Sequence, residues 1–177
     1  MSRPLETALV LVLDDAGPFD AVRRKFAAWS VARGIPFHIT LLWPFAPADE
    51  LTEELFGDVR SLFAAQAAFG FALTRVAMWP RDVYAVPEPE GALRACMGAL
   101  HARFPQWPPY GGIHADVVPH ATLGEDINAE SVYSEIERRV APHLPARYKA
   151  ERATLLEEFE RDCWRERESF PLGSQGP

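Results

Sequence analysis

One four-residue pattern occurs twice in this 177-residue chain and constrains its fold more than any other feature. His38-Ile39-Thr40-Leu41 and His120-Ala121-Thr122-Leu123 both read histidine, apolar residue, threonine, leucine. The two histidines lie 82 positions apart, close to half the chain. Each copy closes a similar unit. Residues 8–13 read as a buried strand. Phe19, Val22, Phe26 and Trp29 then recur at helical spacing, Gly34 and Pro36 end that helix, and Phe37–Trp43 is β-rich. In the second half Val83–Val86 reads as a strand, Leu93, Met97, Leu100 and Phe104 mark a helix, and Val117–Leu123 is the strand that follows. A strand-helix-strand unit present twice predicts an internal duplication.

The remaining segments fit around these units. Leu51, Leu55, Val59 and Leu62 mark a helix, as do Val132, Ile136 and Val140, while Phe69, Phe71 and Leu73 alternate like a strand. Pro105–Gly112 is too rich in proline and glycine for regular structure. Tyr148–Leu156 and Cys163–Phe170 predict a closing hairpin, and residues 173–177 a frayed tail. The expected fold is α+β, a single domain over residues 1–177. It is bilobal, with two pseudo-symmetric strand-helix-strand lobes whose mostly antiparallel sheets face a central groove.

Strand geometry gives the motifs a chemical reading. Side chains alternate between faces, so His38 and Thr40 project together while Ile39 and Leu41 point the other way. His120 and Thr122 do the same, backed by Ala121 and Leu123. If a pseudo-two-fold axis relates the lobes, two imidazole-hydroxyl pairs face each other across the groove. An imidazole titrates near neutral pH, so one copy can accept a proton while the other donates one. The threonine hydroxyls can donate hydrogen bonds to non-bridging phosphate oxygens. A lone H-x-T is a common strand fragment; two copies at equivalent places point to acid-base attack on a phosphodiester.

Composition narrows the partners. The chain is 48% hydrophobic and 24% charged, which are globular values. Its 18 basic and 25 acidic residues leave a net charge of -7. A protein wrapping long nucleic acid through its whole surface is basic instead, whereas one cleft can still hold a small anion. Cys96 and Cys163 are too few for a disulfide framework and read as reduced thiols in a cytosolic protein. The run 8–13 stops at Asp14-Asp15, short of a signal peptide or a membrane span. A soluble, cytoplasmic protein, by default a monomer, is expected. The chain has no H-E-x-x-H or C-x-x-C, and threonine is a poor zinc ligand, so no metal and no cofactor is expected. G-x-x-x-x-G-K-[ST], G-x-G-x-x-G and G-x-S-x-G are also missing.

At these residues the chain resembles a known family. The two H-x-T-hydrophobic motifs are similar to the paired signature of the 2H (two-histidine) phosphoesterases. The segments HITLLWPF and DVVPHATLG, with Trp164 and Phe170-Pro171-Leu172-Gly173 near the end, resemble its 2'-5' RNA ligase-like branch. The resemblance implies a bilobal α+β fold and hydrolysis of the 2',3'-cyclic phosphate of a nucleotide or short RNA end. His38 and His120 would be the catalytic pair, with His38 as acid and His120 as base on the family pattern, and Thr40 and Thr122 would hold the phosphate. One departure is Gly124-Glu125, where several ligase-type members carry a basic residue shortly after the second motif. An acid there disfavours RNA ligation and long-RNA binding. The alternatives are a non-catalytic module of the same fold that binds nucleotides or RNA ends, or 2'-5' RNA ligase activity.

Secondary candidates follow from position. Arg75 and Arg81 flank the Trp79-Pro80 turn and are expected to bring positive charge to the groove mouth. Tyr110, in the loop before the second motif, is a candidate base-stacking lid. His114, Asp116 and Val118 share the face of His120 by parity, so Asp116 is a candidate to orient that ring. Trp43, placed on the face opposite His38 by alternation, and Tyr84 read as core. Arg23-Arg24-Lys25 reads as a solvated helix face.

Overall fold

The computed structural model describes residues 3–114 and 116–173. Eight strands form one antiparallel sheet in the order β6-β3-β4-β5-β2-β1-β7-β8. They are β1 (Thr7–Val12), β2 (His38–Leu42), β3 (Phe69–Met78), β4 (Val83–Glu88), β5 (Ala121–Gly124), β6 (Ala146–Ala150), β7 (Arg152–Glu160) and β8 (Cys163–Pro171). The helices are α1 (Gly17–Phe26), α2 (Ala28–Ala32), α3 (Glu53–Ala64), α4 (Gly91–Arg103) and α5 (Glu130–Val140).

The order is palindromic about the β5-β2 seam. β1-α1-β2 and β4-α4-β5 are the two copies of the duplicated unit, and the seam between their motif strands carries the single registered pair Ile39↔Ala121. The fold is therefore α+β with two related halves, and those halves belong to one continuous sheet. The helices interlock them, because α1 packs against β5 and α4 against β2. Each half covers the other's motif strand.

Alternation sorts side chains to two sides. Leu9, Leu11, Ile39, Leu41, Ala121 and Leu123 enter the main core under the helices. Ala8, Val10 and Leu156 form a smaller apolar cluster on the opposite face, joined by Trp43 and Trp164. That opposite face carries His38 and Thr40.

Several elements differ from the sequence expectation, each for a local reason. The first helix is interrupted at Ala27, which has ψ 42, so the stripe Phe19, Val22, Phe26 does not extend to Trp29. Trp29 sits on α2 and is 56% exposed. Strand pairing in the second half begins at Ala121, with residues 117–120 leading into it outside the ladder. The segment around Tyr148–Leu156 is two strands broken at Glu151, and they do not pair with each other. β6 pairs with β3, while β7 pairs with β1 and β8. The closing hairpin is β7-β8, and β6 lies at the far edge of the sheet. Gly173 is not frayed: its carbonyl accepts from Ala68 N at 2.9 Å and its N–H donates to Gln66 O at 2.8 Å. The rest of that expected tail, residues 174–177, lies outside the described residues. Among the described residues no helix is long and apolar enough to cross a membrane.

Candidate active site

His38 opens β2 and lies opposite Val12 of β1. His120 immediately precedes β5. Both rings are held the same way, with His38 Nδ1 2.8 Å from Pro36 O and His120 Nδ1 2.8 Å from Val118 O. A carbonyl only accepts, so each Nδ1 carries its proton and donates it, and each neutral ring turns a bare Nε2 outward. His38 Nε2 is 3.2 Å from Thr40 Oγ1.

The four motif side chains share one cavity of about 430 Å³. A second cavity of about 780 Å³ adjoins it and shares His120, Thr122, Trp43, Tyr110 and Glu125. His120 packs edge-on against a pair of contacting aromatic rings, Trp79 at 4.6 Å and Tyr84 at 5.7 Å, whose own centroids are 4.2 Å apart. Tyr84 is buried, as expected, and faces Thr122 across the β4-β5 ladder.

Burial pushes both imidazoles toward the neutral form. His38 is lowered to about 4, chiefly by desolvation and then by the positive charges of Arg23 and of protonated His120, against the pull of the Pro36 carbonyl. His120 is lowered by burial too, but the Val118 carbonyl and the charge of Asp82 oppose the shift. The two rings are chemically alike and electrostatically different.

The other predicted positions divide. Tyr110 comes to the groove, where it lines the cavity with Thr40, its N–H donates to Trp43 O at 2.6 Å and its ring packs edge-on to Trp43 at 5.7 Å. Its φ of 51° is the left-handed conformation that few non-glycine residues adopt. Arg81 lines the second cavity and is paired with Asp126. Arg75 lies exposed on β3, outside both cavities, because the strand continues past Leu73 and carries it away from the turn. Asp116 does not orient His120. It pairs with Arg94 at 2.9 Å, and the Val118 carbonyl holds the ring instead.

Three groove residues depart from the sequence expectation. Arg23 is not solvated: it is 4% exposed, donates to Ile35 O at 2.9 Å and Asp20 Oδ1 at 3.2 Å, and lines the cavity with His38. The signal is present in the sequence, since Arg23 follows Phe19 by four positions and so shares the buried stripe of α1. Trp43 is on the groove face because a bulge at Leu41 shifts the β1-β2 register, so Leu41 and Leu42 both enter the core and the parity of the next residue reverses. Its Nε1 donates to Glu6 Oε2 at 3.2 Å. Trp29, expected in the core, lines the same cavity. With Trp79 and Trp164, four of the five tryptophans border the groove. Among the described residues no three His, Cys, Asp or Glu side chains converge as a metal site requires.

The chain is similar to known proteins in sequence and in fold. Residues 12–161 match the sequence profile of the 2'-5' RNA ligase superfamily. A candidate phosphoesterase of Geobacillus sp. (strain WCH70) is 28% identical over 152 residues, covering 80% of this chain and 81% of that protein. Among solved structures, TT0787 of Thermus thermophilus superposes with a TM-score of 0.63 at 20% identity, covering 97% of this chain and 100% of that one. E. coli LigT complexed with 3'-AMP superposes with a TM-score of 0.56 at 18% identity, covering 97% and 99%. A profile match over most of the chain, with both histidine motifs inside it, shows that the chain belongs to the 2'-5' RNA ligase superfamily, the two-histidine phosphoesterases.

Proposed function

We propose that this protein is a metal-independent phosphodiesterase that opens the 2',3'-cyclic phosphate of a nucleotide or short RNA end. The observation that carries this reading is the pair of imidazoles whose Nδ1 protons are occupied by carbonyls and whose Nε2 atoms turn to one cavity beside Thr40 and Thr122. The neutral ring takes a proton from water as its oxygen attacks phosphorus. The bond from phosphorus to one ribose oxygen breaks, and the protonated ring gives its proton to that oxygen. Thr40 and Thr122 hold the non-bridging oxygens.

The electrostatic asymmetry favours His38 as base and His120 as acid, the reverse of the order implied by the family resemblance. Burial, reinforced by the charge of Arg23, keeps His38 neutral, while the charge of Asp82 works against burial at His120 and favours its protonated form. Tyr110 and Arg81 stand at the shared wall and the second cavity, where they can contact the substrate. Tryptophans on both sides offer stacking surfaces for a base, and a nucleotide complex of the structural relative LigT supports a nucleotide as ligand.

The test is hydrolysis of 2',3'-cyclic nucleotides in EDTA by the wild type, His38→Ala and His120→Ala. Turnover that survives EDTA and falls at least about a hundredfold in each variant is expected. A folded wild type that binds a nucleotide without turning it over would make the protein a binding module.

A further inference from the structure

Most charged side chains that line the two cavities are paired, Glu6 with Arg3, Asp162 with Arg33, Arg81 with Asp126 and Asp116 with Arg94. Beside them stand a buried cation, Arg23, and a carboxylate, Glu125, that the proton transfers do not use. Arg23 reaches the groove from α1 with its side chain 5% exposed. Its guanidinium is tied to Ile35 O and Asp20 and lies over the Phe37 ring at 5.6 Å, and the rest of its five-donor fork makes no hydrogen bond among the described residues. Glu125 follows β5, where its N–H donates to Phe26 O at 2.8 Å and so fixes it beside the end of α1. Its carboxylate accepts from the hydroxyl of Ser30 and, at 3.4 Å, from Ser30 N. No cation forms an ion pair with it among the described residues, yet it acts electrostatically on Arg23. Glu125 also lies on the wall common to both cavities, beside His120 and Thr122.

We propose that Arg23 and Glu125 set this site for a singly charged phosphodiester and expel a doubly charged phosphomonoester. The inference rests on the phosphodiester reading above and deepens it. With both imidazoles neutral, Arg23 and Glu125 cancel. A diester brings one negative charge, which a proton on His120 balances. A phosphomonoester has a second ionisation near pH 6 and carries close to two charges above neutrality. The extra charge meets the Glu125 carboxylate, with Asp82 adding to the repulsion from the second cavity. Arg81 and Arg3 are already matched, by Asp126 and by Glu6 and Glu158, which leaves Arg23 to oppose it. At a few ångströms in a half-buried site, one uncompensated charge weakens binding by about tenfold or more. Hydrolysis turns the first kind of ligand into the second, so the same carboxylate that tolerates substrate drives product out.

The test uses two ligands of nearly the same shape at pH 7.5, adenosine 3'-monophosphate and its monomethyl ester, titrated by NMR and requiring no turnover. The wild type is expected to bind the ester about tenfold more tightly. Glu125→Gln, which keeps an acceptor for Ser30, is expected to remove that preference by tightening the monoester. Arg23→Met is expected to weaken both ligands, and Arg23→Lys to retain ester binding; should the methionine variant not fold, the lysine and glutamine variants carry the test. Equal affinities in the wild type, or a ratio unchanged in Glu125→Gln, would overturn the inference and leave the phosphodiester reading intact. If neither ligand binds any variant, that reading falls as well.

Discussion

His38 and His120 make the same local bond and meet different charges. Each donates Nδ1–H to the carbonyl two residues back, which fixes the tautomer and aims Nε2. Arg23 then faces one ring and Asp82 the other. The acid must be protonated and the base neutral, so kcat/KM should peak between the two free-enzyme values, with its rise near pH 4 and its fall below pH 6.5. Asp82→Asn removes a charge that favours protonated His120, so the alkaline limb should move to lower pH. A pH-rate profile of that variant checks the assignment. Movement of the acid limb instead would return the acid role to His38.

At the scale of elements, small backbone departures decide which side chains reach the groove. The bulge at Leu41 delivers Trp43, and the break at Ala27 delivers Trp29 and Ser30. Gly34 does similar work between α2 and β2. Its φ is +79°, and a Cβ there would sit 2.6 Å from the carbonyl oxygen of Trp164, a groove residue of β8 whose N–H donates to Arg33 O at the end of α2. Gly34→Ala should therefore cost about 1–2 kcal/mol from the left-handed conformation alone. The added contact also pushes Trp164 away, so nucleotide affinity should fall with stability. Urea unfolding and a nucleotide titration on the same variant measure both effects.

For the whole molecule, the site's neutrality is a stability statement. Both imidazoles have folded pKa values below the unfolded value of about 6.5. The unfolded chain therefore binds protons first as pH drops, and stability is lost from about pH 6.5 downward until the folded rings also protonate, near 4 for His38. Glu157 and Glu158, whose pKa values are lowered by arginine partners and hydrogen bonds, lose their contribution only below the usual carboxylate range of about 4.5. The interval from pH 7 to pH 5 thus isolates the histidines, and His38 should contribute a loss of at most roughly 2 kcal/mol there. Urea midpoints of the wild type and His38→Gln at the two pH values check this, with a flatter dependence expected in the variant.

The duplication, the α+β class and the face shared by each histidine and its threonine were all legible in the chain, because they depend on periodicity and on spacing along a strand. What the sequence could not settle depends on register and on partners distant in the chain. The parity of Trp43 turns on a bulge against β1, the pairing of β6 on a strand from far earlier in the chain (Gly70 opposite Lys149). The burial of Arg23 depends on the Ile35 carbonyl and on how α1 sits against β5, and Asp116 is claimed by Arg94 from α4. A local pattern can assign a side chain to a face. Only the packed tertiary structure decides what stands opposite it, because the charges and carbonyls that set the environment of each imidazole come from other elements.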